Sequence, residues 1–179
     1  MTYKQELTEV MTWLGEQPKT VFLGEGLKNA GDIYGTMTKV NAKKCLEMPI
    51  CENLIAGAAI GLAMQGYKPI VVFQRMDFML IAADAIINHM ALVPKMSGGQ
   101  FTLPILIRAI IGSQDGKFDV GLQHNHDFTN VFEPHITTVR LVKPERIQSL
   151  YNSMFISPLP TLVIEEKDLY ETNHTTQNL

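Results

Sequence analysis

Few side chains in this 179-residue sequence are placed to do chemistry, and they fall in three places. Glu52 stands at the front of residues 53–65, a stretch that is small or apolar almost throughout. Glu25 lies between Gly24 and Gly26, which allow a tight turn. His124 and His126 belong to Gln123-His124-Asn125-His126-Asp127, and imidazole is the side chain that changes charge near neutral pH. The His-Asn-His-Asp run is metal-like in composition, but zinc takes a larger ligand set and no second cluster accompanies it, so no metal ligands are assigned.

Glu52 is the sharpest of these. Ala56, Gly57, Ala58, Ala59, Gly61 and Ala63 present little bulk, so a helix here can approach other backbones closely. With no polar face, that helix is expected to be buried, and Glu52 then opens a buried element. Burial disfavours a charged carboxyl while the positive end of a helix favours it, which leaves an acid able to share a proton with a ligand. An acid in a first helical turn is also ordinary helix-end chemistry, and the residues alone leave both readings open.

The elements that must hold these groups follow from the hydrophobic pattern. Leu7, Val10, Met11 and Leu14 recur at helical spacing, with Gly15 and Pro18 as a stop. Residues 20–23 form a short buried strand, 44–48 are extended before Pro49, and the Glu52 helix runs to Gly66. Residues 69–73 are continuously apolar, as in a parallel strand covered on both faces. Asp77 can cap a helix carrying Phe78, Met79, Ile81, Ala82, Ile86, Ile87, Met90 and Leu92, which Pro94 ends. Strands follow at 103–111, 137–142 and 161–165, with a proline-opened helix at 144–155. Residues 28–38 read as a loop that is mobile or shaped by a partner, 112–121 as a long loop, and 172–179 as a polar tail.

Such alternation predicts an α/β fold, a three-layer α/β/α sandwich with a mostly parallel sheet. Ligands bind these sheets at the carboxyl ends of strands. Glu25, Glu52, Phe78 and the loop leading to His124 each follow a predicted strand.

A formal net charge of −3 and the lack of Lys or Arg clusters argue against a nucleic-acid surface. The amino terminus has no apolar signal core, and polar residues interrupt every candidate membrane span. A cytoplasmic protein is expected, with Cys45 and Cys51 as reduced thiols. The length suits one domain over residues 1–171, followed by the 172–179 tail.

Several pieces then combine: Pro49-Ile50-Cys51-Glu52, the Ala-Gly helix, Gly66-Tyr67-Lys68-Pro69-Ile70-Val71, Asp77-Phe78, Ile86-Ile87-Asn88, Met96-Ser97-Gly98-Gly99-Gln100, Pro104-Ile105-Leu106-Ile107-Arg108 and Gln123-His124. In order and approximate spacing they resemble the pyrimidine-binding domain of the transketolase-like, thiamine diphosphate-dependent family, above all the beta subunit of the 2-oxo acid dehydrogenase first component. The resemblance runs through most of residues 20–170.

It implies that the aminopyrimidine half of thiamine diphosphate binds here. Glu52 would hydrogen-bond the pyrimidine ring nitrogen and promote the imino tautomer that activates the thiazolium. Phe78 would flank the ring, Glu25 would lie near the cofactor, and His124 would face the reacting carbonyl. Two positions depart from the family pattern. Relatives often carry a further Phe where Arg75 or Met76 stands, so that Arg75 could meet an anionic substrate or partner, and His126 replaces a usual polar residue.

The Gly-Asp-Gly and downstream Asn signature that holds the diphosphate through Mg2+ does not occur. The resemblance therefore implies a separate diphosphate-binding subunit that supplies Mg2+, in a heterotetramer active on a 2-oxo acid or ketose. The alternatives are a split decarboxylase subunit of the sulfopyruvate or phosphonopyruvate kind, and a non-catalytic scaffold or regulatory relative. The resembled beta subunits continue beyond the position of Glu171 into a carboxyl-terminal domain, so the sequence reads either as a minimal split subunit or as a truncated one.

Overall fold

Alternate residues of a strand point to opposite faces of its sheet, so a strand apolar at every position needs cover on both sides. The computed structural model, which describes residues 1–28, 32–113 and 122–173, meets that requirement. Among the described residues one sheet forms from β1 (Thr20–Gly24), β2 (Cys45–Glu47), β3 (Lys68–Phe73), β4 (Leu106–Ile111), β5 (Thr137–Arg140) and β6 (Thr161–Glu166). The spatial order is β2-β1-β3-β4-β6-β5 and every pairing is parallel.

Phe22, Ile70, Val72, Leu106, Ile110 and Val163 pack on one face against α1 (Tyr3–Glu16) and α3 (Ile147–Phe155). Leu23, Val71, Phe73, Ile107, Ala109 and Ile164 pack on the other, against α2 (Glu52–Met64) and the segment after β3. This is the α/β/α sandwich expected. Helix α1 starts at a capping box in which Thr2 Oγ1 accepts from the Gln5 N–H at 3.1 Å and Gln5 Oε1 accepts from the Thr2 N–H at 2.8 Å.

The first face also holds a fully buried ion pair. Arg108 of β4 donates through Nε and Nη2 to the Glu165 carboxylate of β6, and Nη2 donates to Thr36 Oγ1 at 2.8 Å. The Tyr170 and Tyr151 hydroxyls complete the carboxylate's shell at 2.7 and 3.3 Å.

Several expectations are corrected. The segment after β3 is not one helix. It divides into Met76–Ala82 and Ala85–Met96, bent 66° apart, and the bend falls where a tight 3₁₀ turn at Leu80–Ala82 gives way to the wider, underwound π-helical turns of Ala85–Met90. Asp77 makes no capping bond there, and Pro94 sits in the first turn of Val93–Met96, where its missing N–H costs nothing, instead of ending a helix. Helix α2 buries Ile55, Ala56, Ala59 and Ala63 but leaves Leu54 50% and Met64 39% exposed, because one sheet covers only one of its faces.

The 28–38 loop, expected to be mobile or shaped by a partner, is packed into the chain where residues 32–38 are described, while 29–31 lie outside the described residues. Ile33, Thr36 and Met37 are buried, and Thr36 is held by Arg108. The expected tail beyond 173 and most of the expected 112–121 loop lie outside the described residues.

Burial, and next the nearby Glu165 carboxylate, raise the phenols of Tyr3, Tyr151 and Tyr170 well above the ordinary value of 10.0. The unfolded chain gives up these protons near that ordinary value while the folded chain keeps them. Their stabilising contribution is therefore complete below the ordinary phenol pKa of 10.0 and declines as pH rises above it. Urea titrations should show a midpoint that falls steeply once tyrosine begins to ionise, and Tyr3→Phe should make that fall shallower.

Candidate active site

From β1 the chain steps outward to β2, then crosses back to lay β3 on β1's other side. The reversal opens a crevice at the carboxyl ends of β1 and β3, the place where such sheets receive ligands. Glu25 follows β1 and Gln74 follows β3, while Glu52 opens α2 after β2. These three, with Ile55, Val72 and Phe78, line one small cleft.

The cleft's walls are tied together. Gln74 Nε2 donates to the Glu25 carbonyl at 2.8 Å. Across the turn, the Glu47 carboxylate accepts the N–H groups of Gly26 and Lys28 at 2.5 and 2.9 Å. Glu47, at the end of the edge strand, fixes the shape of the Gly24–Gly26 turn, and sequence reasoning missed it. A carboxylate clamping backbone amides on a neighbouring strand leaves no local signal.

Glu52 is 6% exposed, and among the described residues its carboxyl has no hydrogen-bond or ion-pair partner. Unlike His124 Nδ1, the Glu52 carboxyl oxygens are not sealed from solvent, so the slight exposure lies at the end of the side chain that faces the cleft, where a ligand can pair with it. The cleft itself holds about 10 Å3, room for about one water and not for a heterocycle. A ring meeting Glu52 would lie across the mouth with Phe78 beside it, and its far side would need a second wall. The donor and acceptor character of this wall fits an aminopyrimidine, which offers a ring nitrogen to a carboxyl and a flat face to a phenyl ring.

His124 reaches this place from the far side of β4. Its ring meets Phe78 edge-on, with centroids 5.0 Å apart. Its backbone is left-handed at φ 70°, which for a non-glycine residue costs on the order of 1 kcal/mol or more, and its buried Nδ1 has no partner among the described residues. The segment rests on Gly112, just past β4, where a Cβ would come 2.2 Å from Asn125 Oδ1 and 2.5 Å from the His124 carbonyl oxygen. Gly112 thus admits the His124 backbone, and a glycine directly after an apolar strand was the available clue.

Not every expected residue joins them. Arg75 is buried with its guanidinium 5.0 Å from the Tyr34 ring centre, so it is packed inside instead of offered to an anion. His126 points outward onto Asp77, its Nδ1 2.6 Å from Asp77 Oδ1. Asp127 turns to Thr129 and Arg140, which it accepts at 2.9 Å (Thr129 N–H) and 2.6 Å. Burial raises the Asp127 pKa, but the bonds from Thr129 and Arg140 outweigh that and lower it overall.

A family profile described as "Transketolase, pyrimidine binding domain" matches residues 1–172. The chain belongs to this family. Its curated relatives include the chloroplastic pyruvate dehydrogenase E1 component subunit beta-3 of Arabidopsis thaliana, 30% identical over 165 residues that cover 88% of this chain and 39% of that protein. The corresponding beta subunit of Staurastrum punctulatum is 31% identical over 170 residues, 90% of this chain and 50% of that one. This family member thus spans half the length of these relatives or less. A solved structure described as a split gene transketolase, inactive beta4 tetramer, superposes with a TM-score of 0.71 over 93% of this chain and 52% of that one; at 15% identity it speaks for the fold.

Gly112→Ala should displace the 122–126 segment and lower stability by about 1–3 kcal/mol, the usual cost of overpacking. Denaturant unfolding with residue-resolved amide exchange tests this. Faster exchange is expected at 124–128 with α1 unaffected, and a variant identical to the parent would show that the close approach is unimportant.

Proposed function

We propose that this chain is the pyrimidine-binding subunit of a split thiamine diphosphate-dependent enzyme that acts on a 2-oxo acid or ketose together with a separate diphosphate-binding chain. The observation that carries the reading is Glu52, a nearly buried residue whose carboxyl opens onto the β1/β3 crevice without a partner among the described residues and with Phe78 beside it. When bound, thiamine diphosphate supplies a carbanion equivalent that makes and breaks bonds at a carbonyl carbon.

The chain's own residues do the rest. Glu52 holds a proton at its carboxyl oxygen against the pyrimidine ring nitrogen, in a cleft that keeps out competing water. Phe78 fixes the plane of the ring. Glu25 bounds the opposite wall, and His124 presents its imidazole toward the substrate side, where a ring nitrogen can donate to or accept from the substrate. Mg2+ and the diphosphate belong to the partner, and residues 1–171 are the working unit on this side.

The need for a partner is supported by the surface beside the cleft. Ile50 is 77% and Ile81 64% exposed, next to the bare face of α2. On that face a Cβ at Gly57 or Gly61 would meet nothing within 4 Å. Glycine inside a helix costs roughly 0.5–1 kcal/mol relative to alanine, and nothing among the described residues requires it at these positions. A helix of another chain lying close against α2 would require it, and would also supply the missing wall of the cleft.

Two experiments test this. Calorimetric titration of thiamine diphosphate with Mg2+ should give tight binding only when the partner is present, and Glu52→Gln should lower turnover by at least 100-fold with the complex still assembled. Near-normal turnover in that variant would refute the role. Second, Gly57→Ala and Gly61→Ala should each raise the melting temperature of the chain alone by a few degrees while weakening its affinity for the partner. Unchanged affinity would mean that this face is not the contact.

A further inference from the structure

Three consecutive residues after β3 meet three alternate residues of the His124 segment, in antiparallel order. Met76 Sδ accepts the Phe128 N–H at 3.1 Å. Asp77 accepts twice from His126, through Oδ1 from ring Nδ1 at 2.6 Å and through Oδ2 from the backbone N–H at 3.3 Å. Phe78 takes the His124 ring edge-on. The His126 ring also stacks on Phe128, with centroids 5.4 Å apart and planes inclined by 30°.

From this ladder we infer that Asp77 and His126 are positioning residues: they form a latch that holds His124 turned inward against Phe78. The inference deepens the functional reading, since it concerns the imidazole assigned to the substrate side.

His124 by itself is poorly placed to stay where it is. Its backbone is left-handed and its inward nitrogen is unsatisfied, so free of restraint the segment would relax outward, where water satisfies the ring. Gly112 leaves room for the inward position but exerts no pull. Of the three rungs, the sulfur contact is weak and the ring contact is the arrangement to be explained. The middle rung remains. A carboxylate that receives both a side-chain and a backbone N–H of one residue fixes that residue's rotamer and its main chain together. His126 lies two residues from His124 and its side chain is largely exposed, whereas Asp77 is 14% exposed, so the rigid side of the latch is the Met76–Met79 turn.

The test is nuclear magnetic resonance of the 15N-histidine-labelled chain. Phe78→Leu identifies the ring-current shift that Phe78 imposes on the His124 ring protons. His126→Ala and Asp77→Ala should each remove more than half of that shift, and the double variant should remove no more than either single one, because both delete one interaction. His126→Asn, whose amide nitrogen stands where Nδ1 was, should keep most of it. Resonances of Tyr3 and Tyr170, on the opposite face of the sheet, report that the fold is intact.

An unchanged His124 shift in His126→Ala, or an asparagine variant that behaves like the alanine one, would overturn the latch. No cofactor enters this measurement, so its failure leaves the functional reading standing. Normal turnover in Glu52→Gln would do the reverse.

Discussion

A guanidinium and a carboxylate sealed between two neighbouring strands set the geometry of this molecule. Arg108 and Glu165 are both fully buried, and removing two charges from water is costly unless every lone pair and proton is nearly matched. Here Thr36, Tyr151 and Tyr170 do most of the matching, with Arg108 Nη1 left without a partner among the described residues, and they tie an amino-terminal turn, a helix and the segment after β6 to the same pair of charges. Losing one partner of such a pair typically costs about 3–5 kcal/mol, a large share of any domain's stability. The pair therefore leaves β4 and β6 little freedom to slip. Gly112, where the His124 segment rests, is only four residues beyond Arg108.

The cleft is built by a different logic. Its residues come from the loops after three strands, brought together because the chain reverses its direction of travel across the sheet between β1 and β3. The fold supplies a buried acid, a flat ring and an inward imidazole, and it leaves the floor too shallow to enclose anything larger than water. Apolar side chains and needlessly bare glycines lie beside that opening. Both features are what the proposed partner chain would cover.

Much of this could be read from residue patterns. The unbroken apolar runs around Ile70 and Ile107 demanded a sheet covered on both faces, and the bare front of the Ala-Gly helix singled out Glu52. Local rules failed where long-range partners decided the outcome. Asp77 has the chemistry of a helix cap, but a histidine nearly fifty residues later claims its carboxylate. Arg75 has the charge to greet an anion, but Tyr34 offers its ring face and draws the guanidinium inward. Composition predicts the Ala-Gly helix to be wholly enclosed, because it carries no information on how many neighbours surround an element. The wider π-helical turns at Ala85–Met90 span only six residues, too short a run for a change of period to show in the sequence.

The all-parallel sheet has one more effect, on how the chain reaches this structure. None of its strand pairs is a hairpin; even the partners nearest along the chain, Phe22 and Cys45, are separated by a loop and a turn of helix. Each rung of the ladder must wait until a long loop has closed, and that entropy is spent before any contact returns it. The newly made chain thus lingers with sticky strand edges on show, and it gains from molecules that shield such edges until the first crossover locks.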